Sequence, residues 1–178
     1  MGYLKYVREL WKKPTEKMRE AHRQLLLKLR REPVTVRLRR PTRIDRARSL
    51  GYRAKQGVIV VRQRVNRGGR MRPDIRAGRR SAHSGQQKTL EKNYQRVAEE
   101  RVASKYKNCE VVNSYKLTED GKHAWYEVLL VERNHPVVRA DARLAPIAAQ
   151  RGRARRGLTS AGRKGRGLRK KGMGAEKR

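Results

Sequence analysis

The residues that could support a reaction are few. Four histidines and one cysteine share the chain with sixteen carboxylates. His22 falls on the apolar stripe of a helical pattern, the usual place of a packed or partly exposed core histidine. His83 lies in a basic loop, where solvation or a phosphate contact is the default. His123 follows a turn signal, and His135 precedes Pro136 at a strand end. No two of them stand at metal-binding spacing, so no metal site is expected. Cys109 opens a predicted strand and reads as a small buried hydrophobe. As the only cysteine, it also excludes an internal disulfide and a zinc knuckle. The run Gly162-Arg163-Lys164-Gly165-Arg166-Gly167 lacks the Gly-Lys-Ser/Thr ending of a phosphate loop and follows no predicted strand. Gly85-Gln86-Gln87-Lys88-Thr89 has Lys-Thr without a glycine directly before the lysine. Neither is a nucleotide site, and no cofactor or small-molecule substrate is expected.

The arginines carry the stronger signal. Arg37, Arg39, Arg40, Arg43, Arg46, Arg48, Arg53 and Lys55 fall within 19 residues, interrupted by Pro41, Gly51 and the single acid Asp45. Arg62 and Arg64 follow on a predicted strand. Arg67-Gly68-Gly69-Arg70-Met71-Arg72-Pro73 then opens a loop that also holds Arg76, Arg79 and Arg80. Near the C-terminus stand Arg151, Arg153, Arg155, Arg156, Arg163, Lys164, Arg166, Arg169, Lys170 and Lys171. A planar guanidinium can grip phosphate with two parallel hydrogen bonds or stack on an unpaired base, whereas lysine acts as a point charge. Glycine lets the backbone approach a ribose-phosphate chain closely. Pro and Gly also break any continuous helix face, so a solvated charge run is the weaker reading. The combination suits structured RNA, where phosphates converge from several directions.

Net charge supports the same class. The chain of 178 residues holds 49 Lys+Arg against 16 Asp+Glu, a formal charge of +33. Its 36% hydrophobic content is below the roughly 45–50% usual for a globular domain. Self-repulsion on that scale calls for a polyanionic partner. The charge is unevenly placed: +6 over residues 1–36, +14 over 37–80, +2 over 81–150 and +11 over 151–178. No apolar run exceeds four residues, as in Val128 to Val131, far short of the roughly 20 of a membrane span. The N-terminus has no apolar stretch of signal-peptide length. No membrane partner is therefore expected, and the expected compartment is the cytoplasm.

The elements that must position these cations are legible in part. Leu90, Tyr94, Val97, Ala98, Val102 and Tyr106 share one helical face, which predicts a helix over 89–107. A strand is predicted from Glu110 to Leu117, an Asp-Gly hairpin at 118–121 and a return from Lys122 to Glu132. The return strand is apolar on both faces. Gly57 precedes a further strand, Val58 to Val65. Two helices are predicted N-terminally, with stripes Tyr3, Leu4, Val7, Leu10, Trp11 and Met18, His22, Leu25, Leu26, Leu29. Pro14 separates them, Thr15 caps the second and Pro33 ends it. No periodicity survives past Gln150, so no element is expected there.

The fold class is α+β: a small mixed sheet with a long helix on one face, N-terminal helices, and extended basic segments. The expected division is N-terminal helices at 1–36, a basic arm at 37–56, a sheet domain at 57–150 with an inserted basic loop at 67–87, and a Gly/Arg-rich tail at 151–178. The loop and tail are expected to order only on RNA. On these grounds alone the chain is a structural RNA-binding protein, an RNA-modifying enzyme or a chromatin-type DNA-binding protein. The compact unit offers no recognisable nucleophile, acid-base pair or cofactor loop, which disfavours the enzyme. The arginine excess and mixed sheet core disfavour chromatin.

Six motifs, in order, add a family. Tyr6-Val7-Arg8-Glu9-Leu10-Trp11, Arg40-Pro41-Thr42-Arg43-Ile44-Asp45-Arg46-Ala47-Arg48 with Gly51-Tyr52-Arg53-Ala54-Lys55-Gln56-Gly57, Arg67-Gly68-Gly69-Arg70, Val97-Ala98-Glu99-Glu100-Arg101, Val112-Asn113-Ser114-Tyr115 and Arg156-Gly157-Leu158-Thr159-Ser160-Ala161-Gly162-Arg163-Lys164 span nearly the whole chain. Together they resemble the large-subunit ribosomal protein family L-fifteen-e, shared by archaea and eukaryotes, in its archaeal form. Departures are local: Gly165 stands where the family often has serine, Arg169 where it often has glycine, and residues 84–88 differ. The resemblance implies a small α+β domain with long extensions that binds large-subunit rRNA beside neighbouring ribosomal proteins, without catalysis.

Overall fold

The computed structural model describes residues 2–69, 77–78 and 92–169. Pro14 divides the N-terminal region into helices α1 (Leu4–Lys12) and α2 (Glu16–Arg31). The Thr15 hydroxyl caps α2 by accepting from the Met18 N–H at 3.4 Å. At Glu32 the backbone turns extended, as the residue before a proline must. Then follow β1 (Thr35–Leu38), α3 (Ile44–Ser49), β2 (Val58–Asn66), α4 (Tyr94–Lys105), β3 (Cys109–Glu119), β4 (His123–Glu132), α5 (Pro136–Arg139), α6 (Ala145–Ala149) and α7 (Ser160–Gly165).

The four strands form one antiparallel sheet in the order β1-β2-β4-β3. Strand β4 lies between β2 and β3, with Val128 opposite both Val61 and Ser114. Its doubly apolar sequence has a direct cause, because both sheet faces are covered. On one face Val128 and Leu130 pack with Val61, Val111 and Val102 of α4, while Ala124 and Tyr126 meet Ala98. On the other, Leu129 packs with Val60, Tyr115, Ala47 and Tyr52, and Trp125 packs with Leu29 of α2 and Leu117. Val131 closes that face against Val138, Leu144 and Ala148. Helix α4 covers one face and α2 and α3 help cover the other, and the sheet is antiparallel throughout where a mixed one is expected.

Local chemistry sets the boundaries. Helix α4 starts at Tyr94 because the Asn93 side chain caps it, accepting from the Arg96 N–H at 2.8 Å. Residues 89–91 of the predicted helix lie outside the described residues, and Lys92 and Asn93, also predicted helical, precede it. In the hairpin, Asp120 Oδ1 accepts from the backbone N–H groups of Lys122 and His123, at 2.9 and 2.6 Å, the turn chemistry its Asp-Gly pair promises. Strand β1 and helices α3, α5 and α6 have no counterpart in the sequence reading; the helices run only four to six residues, too short to show a period.

Past Gln150 the expectation fails. Helix α7 forms there, and Ala154, Thr159 and Ala161 are at most 3% exposed. Close backbone packing, invisible to apolar periodicity, holds this stretch. Gly162 lies against Gly157, so a Cβ on Gly162 would sit 2.5 Å from the Gly157 Cα. Only glycine fits there, and Gly157 itself has φ +68°.

Candidate nucleic-acid interface

Two basic surfaces flank the sheet, each fixed by buried carboxylates. The first begins at the arm. Glu127 of β4 is fully buried beneath it. Its Oε2 accepts from the Thr42 N–H at 3.0 Å, and its Oε1 from the Thr42 hydroxyl at 2.5 Å. The Tyr115 hydroxyl also donates to Oε2 and receives the Arg43 N–H at 3.4 Å. Burial, reinforced by the Glu127 charge, pushes that phenol above its ordinary range. Arg62 completes the cluster, with Nη1 2.7 Å from Glu32 Oε2 and Nη2 2.9 Å from the Thr42 hydroxyl and 3.4 Å from Glu127 Oε1. The cluster fixes where α3 starts. Ala47 and Asp45 then face inward, while Arg46 and Arg48 face solvent.

The second surface is the segment after Gln150. Glu110 of β3 accepts the N–H groups of Gly152 and Arg153 at 2.9 and 3.3 Å. Glu99 of α4 is fully buried and accepts from the Ser114 hydroxyl and, at 2.5 Å, from the Thr159 hydroxyl. Thr159 in turn caps α7, accepting from the Gly162 N–H at 3.2 Å. Burial raises the Glu99 carboxyl above the usual range; the two hydroxyls and the more distant Arg153 and Arg96 oppose it. Arg155 reaches back to the Ser104 hydroxyl at 3.0 Å. Between α4 and this segment lies an open cleft of about 560 Å³ lined by Lys92, Val97, Glu100, Arg101, Ser104 and Arg155.

Most of the anticipated cations are outward. Arg37, Arg39, Arg40, Arg46, Arg48, Arg53, Lys55 and Arg67 are exposed, as are Arg151, Arg155, Arg156, Arg163, Lys164, Arg166 and Arg169. Arg43, Arg64 and Arg153 are half-buried. Arg43 bonds Asp45 at 2.9 Å and covers the Trp11 ring at 4.6 Å; Arg153 Nε donates to the Val111 carbonyl at 3.0 Å. Arg62 stands apart: at 7% exposed, its guanidinium is bound to Glu32, Thr42 and Glu127 inside the protein. An arginine on a strand between apolar positions, with carboxylates on the facing elements, is the signal that could have marked it. Lys55 is exposed but bound to Asp141 at 2.7 Å. Arg70, Arg72, Arg76, Arg79, Arg80, Lys170 and Lys171 lie outside the described residues, as does His83. The sequence reading passes over Arg101 of α4 and the exposed Lys5, Arg8, Lys12 and Lys13 of the first helix and its cap, because their spacing reads first as the polar side of a helix.

Cys109 is buried, and burial pushes its thiol up to about 11, which makes it unreactive as a nucleophile.

The sequence model of the Ribosomal L15 family matches residues 2–178. The chain belongs to that family. It is 53% identical over 174 residues to the "Large ribosomal subunit protein eL15" of Methanocorpusculum labreanum, covering 97% of this chain and 90% of the relative. The proteins of the same name from Methanocella arvoryzae and Methanospirillum hungatei are 49% and 51% identical, each over 176 residues, with the same 97% and 90% coverage. In this Ribosomal L15 member the motif at 156–164 has a structural meaning. It supplies the Gly157–Gly162 contact and the Thr159 hydroxyl that meets Glu99. The motif at 40–48 likewise supplies Thr42 to Glu127 and Arg43 to Asp45.

Proposed function

We propose that the chain is a non-catalytic structural constituent of the large ribosomal subunit, working in the cytoplasm, where it binds and stabilises folded rRNA beside neighbouring ribosomal proteins. The observation that carries this reading is the sorting of charge. Glu99, Glu110 and Glu127 are buried and tie segments to the sheet, Asp45 is buried against Arg43 of its own arm, and most arginines of the same segments face outward. These carboxylates are thereby removed from the surface proposed to meet phosphate, and the outward cations other than Lys55 and Arg67, which pair with Asp141 and Glu119, are placed to replace condensed counterions. Arg46, Arg48 and Arg53 on one side, and Arg155, Arg156, Arg163, Lys164 and Arg166 on the other, are the proposed phosphate contacts. Arginine also suits RNA whose helices meet at angles, because its flat head can stack as well as bond. Residues 67–87, most of which lie outside the described residues, are proposed as a third contact.

The test is competition between a large-subunit rRNA fragment and duplex DNA at ~0.2 M salt, where weak nonspecific binding fades. Retention of the rRNA fragment against excess DNA is expected. Equal affinity for both would move the chain to the DNA-coating class.

A further inference from the structure

Helix α1 is strongly amphipathic, yet none of its residues is fully buried. On a 3.6-residue period its apolar side chains divide into two adjoining rows. Leu4, Val7 and Trp11 form the inner row and are half-buried. Trp11 is held firmly, its ring 4.4 Å from that of His22 on α2 and under the Arg43 guanidinium at 4.6 Å. Burial, with Arg43 second, lowers the His22 pKa, which favours a neutral ring in that stack. The outer row is Tyr3, Tyr6 and Leu10, exposed by 59%, 67% and 40%. Nothing else in the described fold leaves two aromatic rings this open on one helix.

We infer that Tyr3 and Tyr6 form a stacking platform for unpaired bases of RNA. The inference rests on the RNA-binding reading above and adds a contact of a different kind, one that does not depend on charge. Three observations favour this occupant. The anchors are two aromatics one helical turn apart, and side chains at that spacing have Cβ atoms about 5–6 Å apart, within reach of the same or neighbouring bases. The rest of the exposed surface of this helix and its cap carries Lys5, Arg8, Lys12 and Lys13 against the single acid Glu9. Helix α3, packed alongside, adds the exposed Arg46 and Arg48. An apolar protein surface would have to approach through that field, whereas a nucleotide chain brings phosphates for the cations and flat faces for the rings. The Arg43–Trp11–His22 stack keeps the helix in place, so the platform is set before RNA arrives.

The experiment uses the full chain and two RNAs, a hairpin with a long unpaired adenosine loop and a continuous duplex of the same stem. Replacing both rings in Y3A/Y6A should weaken loop binding by at least ~10-fold, while duplex affinity stays within about twofold and the salt slope is unchanged. Y3F/Y6F should bind as the wild type does, and Y3L/Y6L should remain as weak as the alanine pair. Because neither ring is buried, all variants should melt like the wild type. No loss in Y3A/Y6A, or equal losses on loop and duplex, overturns the platform while leaving the phosphate reading standing. Rescue by leucine also overturns it and assigns the face to an apolar protein partner. A wild-type chain that binds neither RNA overturns both readings.

Discussion

The arm on one side of the sheet and the segment after Gln150 on the other each hang on a buried carboxylate, but the two carboxylates meet different company. Glu127 accepts two hydroxyls and a backbone N–H, and faces the Arg62 guanidinium at 3.4 Å. Glu99 has two hydroxyls as its direct partners, and its cations stand further away. A buried charge is tolerated when it is paired and becomes a liability when its opposite charge is removed. The arm is therefore held by an ion-paired cluster that needs its charge. The C-terminal segment is held by hydrogen bonds and close packing that do not. Two basic surfaces that look alike in composition should respond differently to mutation and to pH.

The largest effect should come from the C-terminal side. Deleting residues 151–178 strips Glu99 and Glu110 of partners and uncovers the core around Ala154. Such a loss amounts to several kcal/mol. The thermal midpoint should fall by more than about 10 °C, read by circular dichroism. The composition-based division of the chain expects the reverse, a sheet domain indifferent to its tail, so a shortened chain that melts normally would restore that division.

Next in size is Glu127→Gln, which leaves Arg62 with Glu32 as its one charged partner among the described residues; about 3 kcal/mol should be lost in denaturant unfolding. Gly162→Ala should destabilise by about 1–3 kcal/mol through overpacking against Gly157, with the exposed cations untouched. A fully tolerated alanine would show that the 2.5 Å approach relaxes freely.

Glu99→Gln should be the mildest, within about 1 kcal/mol at neutral pH, because an amide can accept from one hydroxyl and donate to the other. It also carries a pH signature. The folded Glu99 carboxyl titrates above its ordinary value of 4.5, so the folded state holds that proton more tightly than the unfolded chain. Its stabilising contribution is present below the ordinary value and lost as pH rises through the folded one. Relative to Glu99→Gln, the wild type should gain stability as pH falls from 7 towards the ordinary value of 4.5. A difference that stays flat over that range would mean Glu99 is no more basic folded than unfolded.

The comparison also explains what was legible in the sequence. Long periodic elements were: α4 keeps its predicted body but starts at Tyr94 rather than at 89, and the β3–β4 hairpin with its Asp120 turn, β2 and the two N-terminal helices lie where alternation and caps place them. So did the outward arginines of the arm, since density of like charge cannot be buried. Contacts of high sequence separation were not legible. Thr159 meets Glu99 across 60 residues and Thr42 meets Glu127 across 85, and no local pattern announces either. The burial of Arg62 is illegible for the same reason: its partners Glu32 and Glu127 are distant in the chain. The core role of residues 151–169 escaped because alanine, glycine and threonine do the packing, where periodicity looks for leucine and valine.

The salt dependence of RNA binding reports most directly whether the two basic faces meet phosphate. Arg46, Arg48 and Arg53 replaced by Gln, Arg156, Arg163 and Lys164 replaced by Gln, and the sixfold combination should all fold, since every one of these side chains is exposed. With the single-strand coefficient of about 0.7 per phosphate, each triple variant should lower the log–log salt slope on an rRNA fragment by about 2 units and the combination by about 4. A sixfold variant that folds normally and keeps the wild-type slope would show that neither face meets phosphate, and would contradict the account.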